Sequence, residues 1–170
     1  GVPFLGICFG MQLSVIETLR SLGGVSGADS TEFGDAADPV VGPLTTWRHG
    51  DETRTQSVHG DMGGTMCLGA YPCVIQRSSR AHDAYGTDRV TERHRHRYEV
   101  SLAYQGHLKA GGMVITGLSP DGLLPEIVER PDHPWFVGVQ YHPELKSRPF
   151  DPHPLFVAFV DAAIKQSRLV

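Results

Sequence analysis

The chain opens on an apolar run, Val2 to Ile7, whose length and following glycine turn predict a short buried strand. After Gly10 the apolar positions change period. Met11, Val15, Ile16, Leu19 and Leu22 fall on one face of a helix that stops near Ser21-Leu22-Gly23-Gly24. Val25 to Pro39 is rich in Gly, Ala and Asp and reads as loop, with Ser30-Thr31-Glu32-Phe33 inside it. Pro39-Val40-Val41 begins a short strand, and the polar stretch Thr45 to Gln56 reads as a hairpin or a surface excursion. His59 to Gly69 runs from a glycine turn into a strand. Cys73-Val74-Ile75 is a second strand able to pair with the first, and Ala81 to Tyr85 is a short helical turn.

The second half alternates more cleanly. From Thr91 to Val100, strand periodicity turns Arg93, Arg95 and Arg97 one way and His94 and His96 the other. Met113 to Gly117 is a strand, Ser119-Pro120-Asp121-Gly122 a hairpin turn, and Leu124 to Glu129 pairs back. Trp135 to Tyr141 is the strongest strand of this half. It delivers His142-Pro143-Glu144 at its C-terminal end, the edge where open α/β sheets place their sites. An extended connector, Pro149 to Pro154, leads into a final helix with Pro154 in its first turn and Leu155, Phe156, Phe159, Val160 and Ile164 as its apolar face. No internal repeat, P-loop or dinucleotide fingerprint is present.

Composition narrows the class without changing this picture. A chain of 170 residues, 40% hydrophobic and 20% charged, fits one domain with a real core. A net charge of −4 gives no bulk attraction to nucleic acid or a membrane surface, and no apolar run approaches the roughly 18 residues of a membrane span. Three cysteines, Cys8, Cys67 and Cys73, are an odd number without metal-site spacing, so we expect no metal and a reduced, cytoplasmic setting. The chain starts inside what reads as a central strand, and we expect it to be the later part of something longer.

The chemistry gathers at two places. A strand that turns sharply into a helix with a nucleophile at the bend is the geometry of an elbow, and Cys8 sits at such a bend between Gly6 and Gly10. We expect side chains at either glycine to collide across the turn, and the helix N-terminus to favour a Cys8 thiolate. The other reading is a buried structural cysteine. A thiol attacking an amide needs a base and a group to orient it. Of nine histidines, His142 is the best base because it ends a buried strand as Cys8 does. Glu144 can then accept the other ring N–H, with Pro143 stiffening the turn. The Phe9 N–H supplies one oxyanion donor, and a second should come from an earlier loop that these residues do not contain. Glu32 reads by itself as a solvated loop acid. The Arg–His run reads as a solvated basic loop, as a His-x-His metal pair without an evident third ligand, as an arginine clamp for an anion, or, more weakly, as a phosphate-tracking RNA patch.

Gly6-Ile7-Cys8-Phe9-Gly10-Met11-Gln12 with a distant His142-Pro143-Glu144 resembles the class I glutamine amidotransferases. Within that class, Ser30-Thr31-Glu32-Phe33, Gly63-Gly64-Thr65-Met66, Glu92 through Val100, His142 through Pro149 and His153-Pro154-Leu155-Phe156 are similar to the CTP synthases. The resemblance implies an α/β fold in three layers, with a mostly parallel sheet and helices on both faces, across residues 1–170. It implies Cys8 as nucleophile, His142 as general base and acid, and Glu144 as the orienting carboxylate. Phe9, Gly10, Met11 and Gln12 would line a glutamine pocket, while Glu32 and Arg97 hold the zwitterionic end. For His94, Arg95 and His96 structural and catalytic roles stay open, and Cys67 and Cys73 stay structural. The resemblance further implies hydrolysis of L-glutamine through a thioester, no cofactor on these residues, and ammonia delivered to a synthetase domain that binds ATP, Mg2+ and UTP. It implies a GTP effector and a homotetramer when that domain is present. A silent, binding-only relative and an amidotransferase serving another acceptor are the competing readings.

Overall fold

The computed structural model describes residues 1–43, 46–49, 52–55 and 66–168. Strand β1 (Phe4–Ile7) runs straight into helix α1 (Phe9–Ser21) through Cys8. There follow β2 (Ala28–Ser30), a 3-10 turn (Thr31–Phe33), β3 (Asp38–Pro43), the hairpin β4 (Thr46–His49) and β5 (Glu52–Thr55), and β6 (Cys67–Ile75). Then come α2 (Arg80–Tyr85), β7 (Arg89–His96), β8 (Tyr98–Val100), α3 (Gln105–Ala110), β9 (Val114–Leu118), β10 (Pro125–Glu129), β11 (Phe136–Val139) and α4 (Pro154–Ser167). The expected glycine turn at 59–65, including Gly63-Gly64-Thr65, lies outside the described residues.

Six strands form the main sheet in the order β1-β11-β10-β9-β6-β7. It is mixed: β1 and β11 run parallel, while the other four pairings are antiparallel. Tight connections account for two of these, since β9, β10 and β11 are joined by turns too short for the crossover a parallel pair needs. A second sheet, β2-β3-β8, joins β2 and β3 in parallel and β3 and β8 antiparallel.

The layers follow from alternation along the strands. On one face Met11, Val15 and Leu19 of α1 pack with Val128, Ile115 and Phe136. On the other, Ala81 of α2 and Leu155, Ala158, Phe159 and Ala162 of α4 cover Ile75, Ile127, Val137 and Val139. Gly138 lies under α1, where a Cβ would come within 2.8 Å of Val128 Cγ2 and 3.1 Å of Met11 Cγ. The sandwich of helix, sheet and helix is the expected α/β architecture, but the sheet expected to be mostly parallel is mostly antiparallel, with β1–β11 its one parallel pairing among the described residues. No helix among the described residues is long and apolar enough to cross a membrane.

Several expectations change in detail. Leu22 is 56% exposed because it caps α1 instead of continuing its face. Val160 and Ile164 point outward, and small Ala158 and Ala162 take their place against the sheet. The expected loop Val25 to Pro39 contains β2 and the 3-10 turn. The two expected strands at Cys67 and Cys73 are one continuous strand, with Pro72 opposite Thr91. Proline fits there because β6 meets β9 only at Val74 and Ile75, leaving Pro72 with one hydrogen-bonded neighbour strand.

Candidate active site

Parallel pairing sets the site. Ile7 of β1 lies opposite Val139 of β11, so both strands end at the same sheet edge and release Cys8 and the Gln140–His142 segment side by side. The Cys8 N–H donates to the Val139 carbonyl at 2.7 Å, and the His142 N–H donates to the Arg93 carbonyl at 2.8 Å. Cys8 has φ 51° and ψ −105°, a left-handed conformation rare for a residue with a side chain. Such strain persists only where the surroundings impose it, and here the imposing contact is the close passage of α1 over β1. A Cβ on Gly6 would meet the Gly10 carbonyl carbon at 2.9 Å and its oxygen at 3.0 Å, so only glycine fits. A Cβ on Gly10 would meet nothing within 4 Å, which corrects the expected collision there.

The sulfur is less acidic than its place at a helix start suggests. Burial pushes the Cys8 thiol up to about 11, against a lowering hydrogen bond from the Phe9 N–H, and Glu99, Glu144 and Glu32 raise it further. Desolvation outweighs the helix terminus, so the resting group is a thiol. Gln140, fully buried, donates from Nε2 to Cys8 Sγ at 3.7 Å. Its Oε1 accepts from Gln12 Nε2 at 3.1 Å, and Gln12 Nε2 also donates to the Tyr98 carbonyl at 2.9 Å. This chain of amides ties the sulfur to β8. Sequence reading passes over Gln140, and its one signal is a carboxamide inside an otherwise apolar strand.

His142 and Glu144 meet as expected, with Nδ1 and Oε1 2.6 Å apart. The carboxylate thereby holds the proton on Nδ1 and leaves Nε2 to accept one. Nε2 is buried without a partner among the described residues. Pro143 opens the 3-10 turn that carries Glu144 back toward the ring.

A cleft of about 520 Å³ collects Cys8, Phe9, Gln12, Glu32, Phe33, Met66, Arg95, His96, Arg97 and Tyr98. Glu32 enters on the 3-10 turn, whose start Ser30 caps by accepting the Glu32 N–H at 3.2 Å. Arg97 enters between β7 and β8, its Nε buried and without a partner among the described residues. The cleft thus offers a thiol, a carboxylate and a guanidinium on separate elements. Two expected pocket residues are elsewhere: Met11 is fully buried in the core, and Gly10 borders a different cleft with Phe4, Leu13 and Phe136.

Along β7 the expected alternation holds, with Glu92, His94 and His96 buried and Arg93 and Arg95 exposed. Burial pushes His94 down to about 3 and His96 to about 4, so both are neutral at pH 7. Two acids that read as polar positions, Glu99 and Glu126, are also buried, and desolvation raises both above the usual carboxylate range.

The sequence matches the glutamine amidotransferase class-I family over residues 1–162. It is similar to the CTP synthase of Parvibaculum lavamentivorans, 59% identical over 169 residues that are 99% of this chain and 31% of that protein. The CTP synthase of Agrobacterium fabrum gives the same identity and coverage. The chain therefore spans 31% of the length of these curated relatives. Among solved structures, the glutaminase domain of Trypanosoma brucei CTPS with bound acivicin superposes with a TM-score of 0.83 at 36% identity, covering 96% of this chain and 60% of that one.

Proposed function

The chain belongs to the class I glutamine amidotransferase family, and from that premise we propose that it hydrolyses the side-chain amide of L-glutamine through a thioester on Cys8. The observation that carries this reading is the single cleft in which Cys8, Gln12, Glu32 and Arg97 meet. An α-ammonium suits Glu32, an α-carboxylate suits the Arg97 fork, and the side chain between them extends toward the thiol.

The steps follow from the resting protonation. His142 Nε2 accepts the Cys8 proton as sulfur attacks the amide carbon, which overcomes the high thiol pKa by coupling ionisation to bond formation. The developing imidazolium is stabilised by Glu144 at 2.6 Å. The backbone N–H after the nucleophile, that of Phe9, receives the oxyanion. Collapse expels ammonia with the proton His142 holds, leaving a γ-glutamyl thioester. His142 then takes a proton from water, hydroxide adds to the thioester, and glutamate leaves as the thiol is restored.

The relatives named CTP synthase extend the proposal to the acceptor. We assign the ammonia to ATP- and Mg2+-dependent amination of UTP on a synthetase domain, with a GTP effector and a homotetramer as properties of that larger assembly. The test is glutamate release from L-glutamine beside Cys8→Ala, with mass spectrometry after a glutamine-mimicking electrophile such as acivicin. Turnover lost in Cys8→Ala together with one adduct on Cys8 is expected. No adduct and no turnover in a folded sample would overturn the catalytic reading.

A further inference from the structure

Beside the cleft, the strand pairing Cys67 opposite His96 brings together a set of side chains that the hydrolysis does not use. Cys67 Sγ and one ring nitrogen each of His94 and His96 lie within 4.8 Å of one another, all three residues buried. The two imidazoles face each other, His94 Nδ1 to His96 Nε2 at 3.0 Å. Their outer nitrogens point at acceptors: His96 Nδ1 lies 3.2 Å from the Tyr98 carbonyl, and His94 Nε2 lies 3.5 Å from Glu126 Oε2. We propose that Cys67, His94 and His96 form a binding site for a borderline-soft divalent cation of the zinc class.

The arrangement has both shells of such a site. Thiolate and imidazole are the ligands zinc takes, and in most zinc sites the other N–H of each ligating histidine is held by a carbonyl or carboxylate. Here a backbone carbonyl serves His96, and a buried carboxylate stands 3.5 Å from His94 Nε2, in reach but not yet hydrogen-bonded. Without an ion, two neutral rings in contact share one proton between the facing nitrogens, and one outer acceptor goes without a donor. Glu126 Oε2, both Glu99 oxygens and His94 Nε2 have no hydrogen-bond partner among the described residues. An ion between the rings lets both keep their outer N–H, and its charge offsets the buried carboxylates. Binding releases the Cys67 thiol proton to solvent.

The two nitrogens need little movement, while the sulfur, within 4.8 Å of them, closes to the roughly 3.6 Å that a tetrahedral site sets. Zinc bonds of about 2.05 Å to nitrogen in a tetrahedral site set the two nitrogens about 3.3 Å apart, against the 3.0 Å observed. Three protein ligands leave a fourth position open. The site also braces the glutamine cleft, because His96 and Tyr98 flank Arg97 and line the same wall. A commoner surface site built from exposed acids would have no such coupling.

The test uses the whole chain, freed of metal by a chelator and titrated with Co2+ as an optical stand-in for zinc. We expect about one ion per chain and a sulfur-to-cobalt charge-transfer band, since bound thiolate is deprotonated outright. The band should vanish in Cys67→Ser and persist in Cys8→Ser. Zinc absorption spectroscopy of the unmutated chain should resolve one sulfur near 2.3 Å and two nitrogens near 2.0 Å, a readout independent of how any variant folds. Binding below about a tenth of an ion per chain at micromolar zinc would overturn the site. So would a charge-transfer band lost in Cys8→Ser and kept in Cys67→Ser, which places the ion on the catalytic thiol.

Discussion

Cys8 is the residue whose chemistry is most at odds with its surroundings. It is half-buried, backed by the carboxylates of Glu99, Glu144 and Glu32, and its thiol is pushed up to about 11. A neutral alkylating agent should therefore modify Cys8 slowly at pH 7 and faster with rising pH, with a midpoint near 11 in a mass-spectrometric rate profile. Each nearby carboxylate destabilises the thiolate, so Glu32→Gln should move that midpoint downward. An upward shift would contradict the electrostatics, and a midpoint near 7 would show a preformed ion pair. Gln140 is the second residue to test. Gln140→Leu removes the donor at 3.7 Å from the sulfur and the acceptor for Gln12. A neutral hydrogen bond contributes about 1 kcal/mol, which corresponds to a loss of about five-fold in kcat with KM little changed. Loss of KM alone would instead place Gln140 in substrate binding.

At the scale of elements, the elbow is a steric agreement between β1 and α1. Alanine at Gly6 meets backbone at Gly10, which cannot rotate away. We expect Gly6→Ala to cost about 1–3 kcal/mol, a fall in Tm of several degrees at about 2–4 °C per kcal/mol. Gly10→Ala should be neutral or stabilising, because the added methyl meets nothing and alanine favours a helix by about 1 kcal/mol. Equal costs in paired thermal melts would show that the turn is not held by contact at Gly6. Much of this is legible in sequence, because change of period, a glycine turn and a strand ending in His142 are local signals. The cleft is less so. Glu32 and Arg97 arrive from turns whose positions depend on the β2-β3-β8 sheet, and β2 lies in a stretch whose composition reads as loop. Cys67 and the His94–His96 pair meet only through β6–β7 register, which no spacing along the chain encodes. Strand direction is legible where a tight turn joins neighbours, as at Ser119-Pro120-Asp121-Gly122, and hidden where neighbours in the sheet are distant in sequence, as β6 and β9 are.

At the scale of the whole molecule, one buried carboxylate joins the far edge strand to the segment that carries His142. Glu92 of β7 is fully buried, and its Oε1 accepts from Lys146 Nζ at 2.9 Å and Tyr85 OH at 3.1 Å and lies 3.2 Å from His153 Nε2. Lys146 Nζ also donates to the Thr91 carbonyl at 2.7 Å, and His153 caps α4 by accepting the Leu155 N–H. Strand β7, the loop after Glu144 and the start of α4 are therefore fastened at one point. Burial raises the Glu92 carboxyl, but the bonds from His153 and Lys146 outweigh it and hold the group below its ordinary value of 4.5. With the folded value depressed, the unfolded chain binds the proton more readily. The stabilisation is present in full above 4.5 and is lost as pH falls through the folded value. Glu92→Gln keeps the shape and removes the charge, and charge-assisted bonds contribute about 1.5–3 kcal/mol each. Urea melts at pH 7 should show the variant less stable by about 2–3 kcal/mol. That gap should close as both proteins are taken below pH 4.5. A gap that stays constant with pH would assign the cost to packing, and His142 would then owe its position to the Arg93 carbonyl alone.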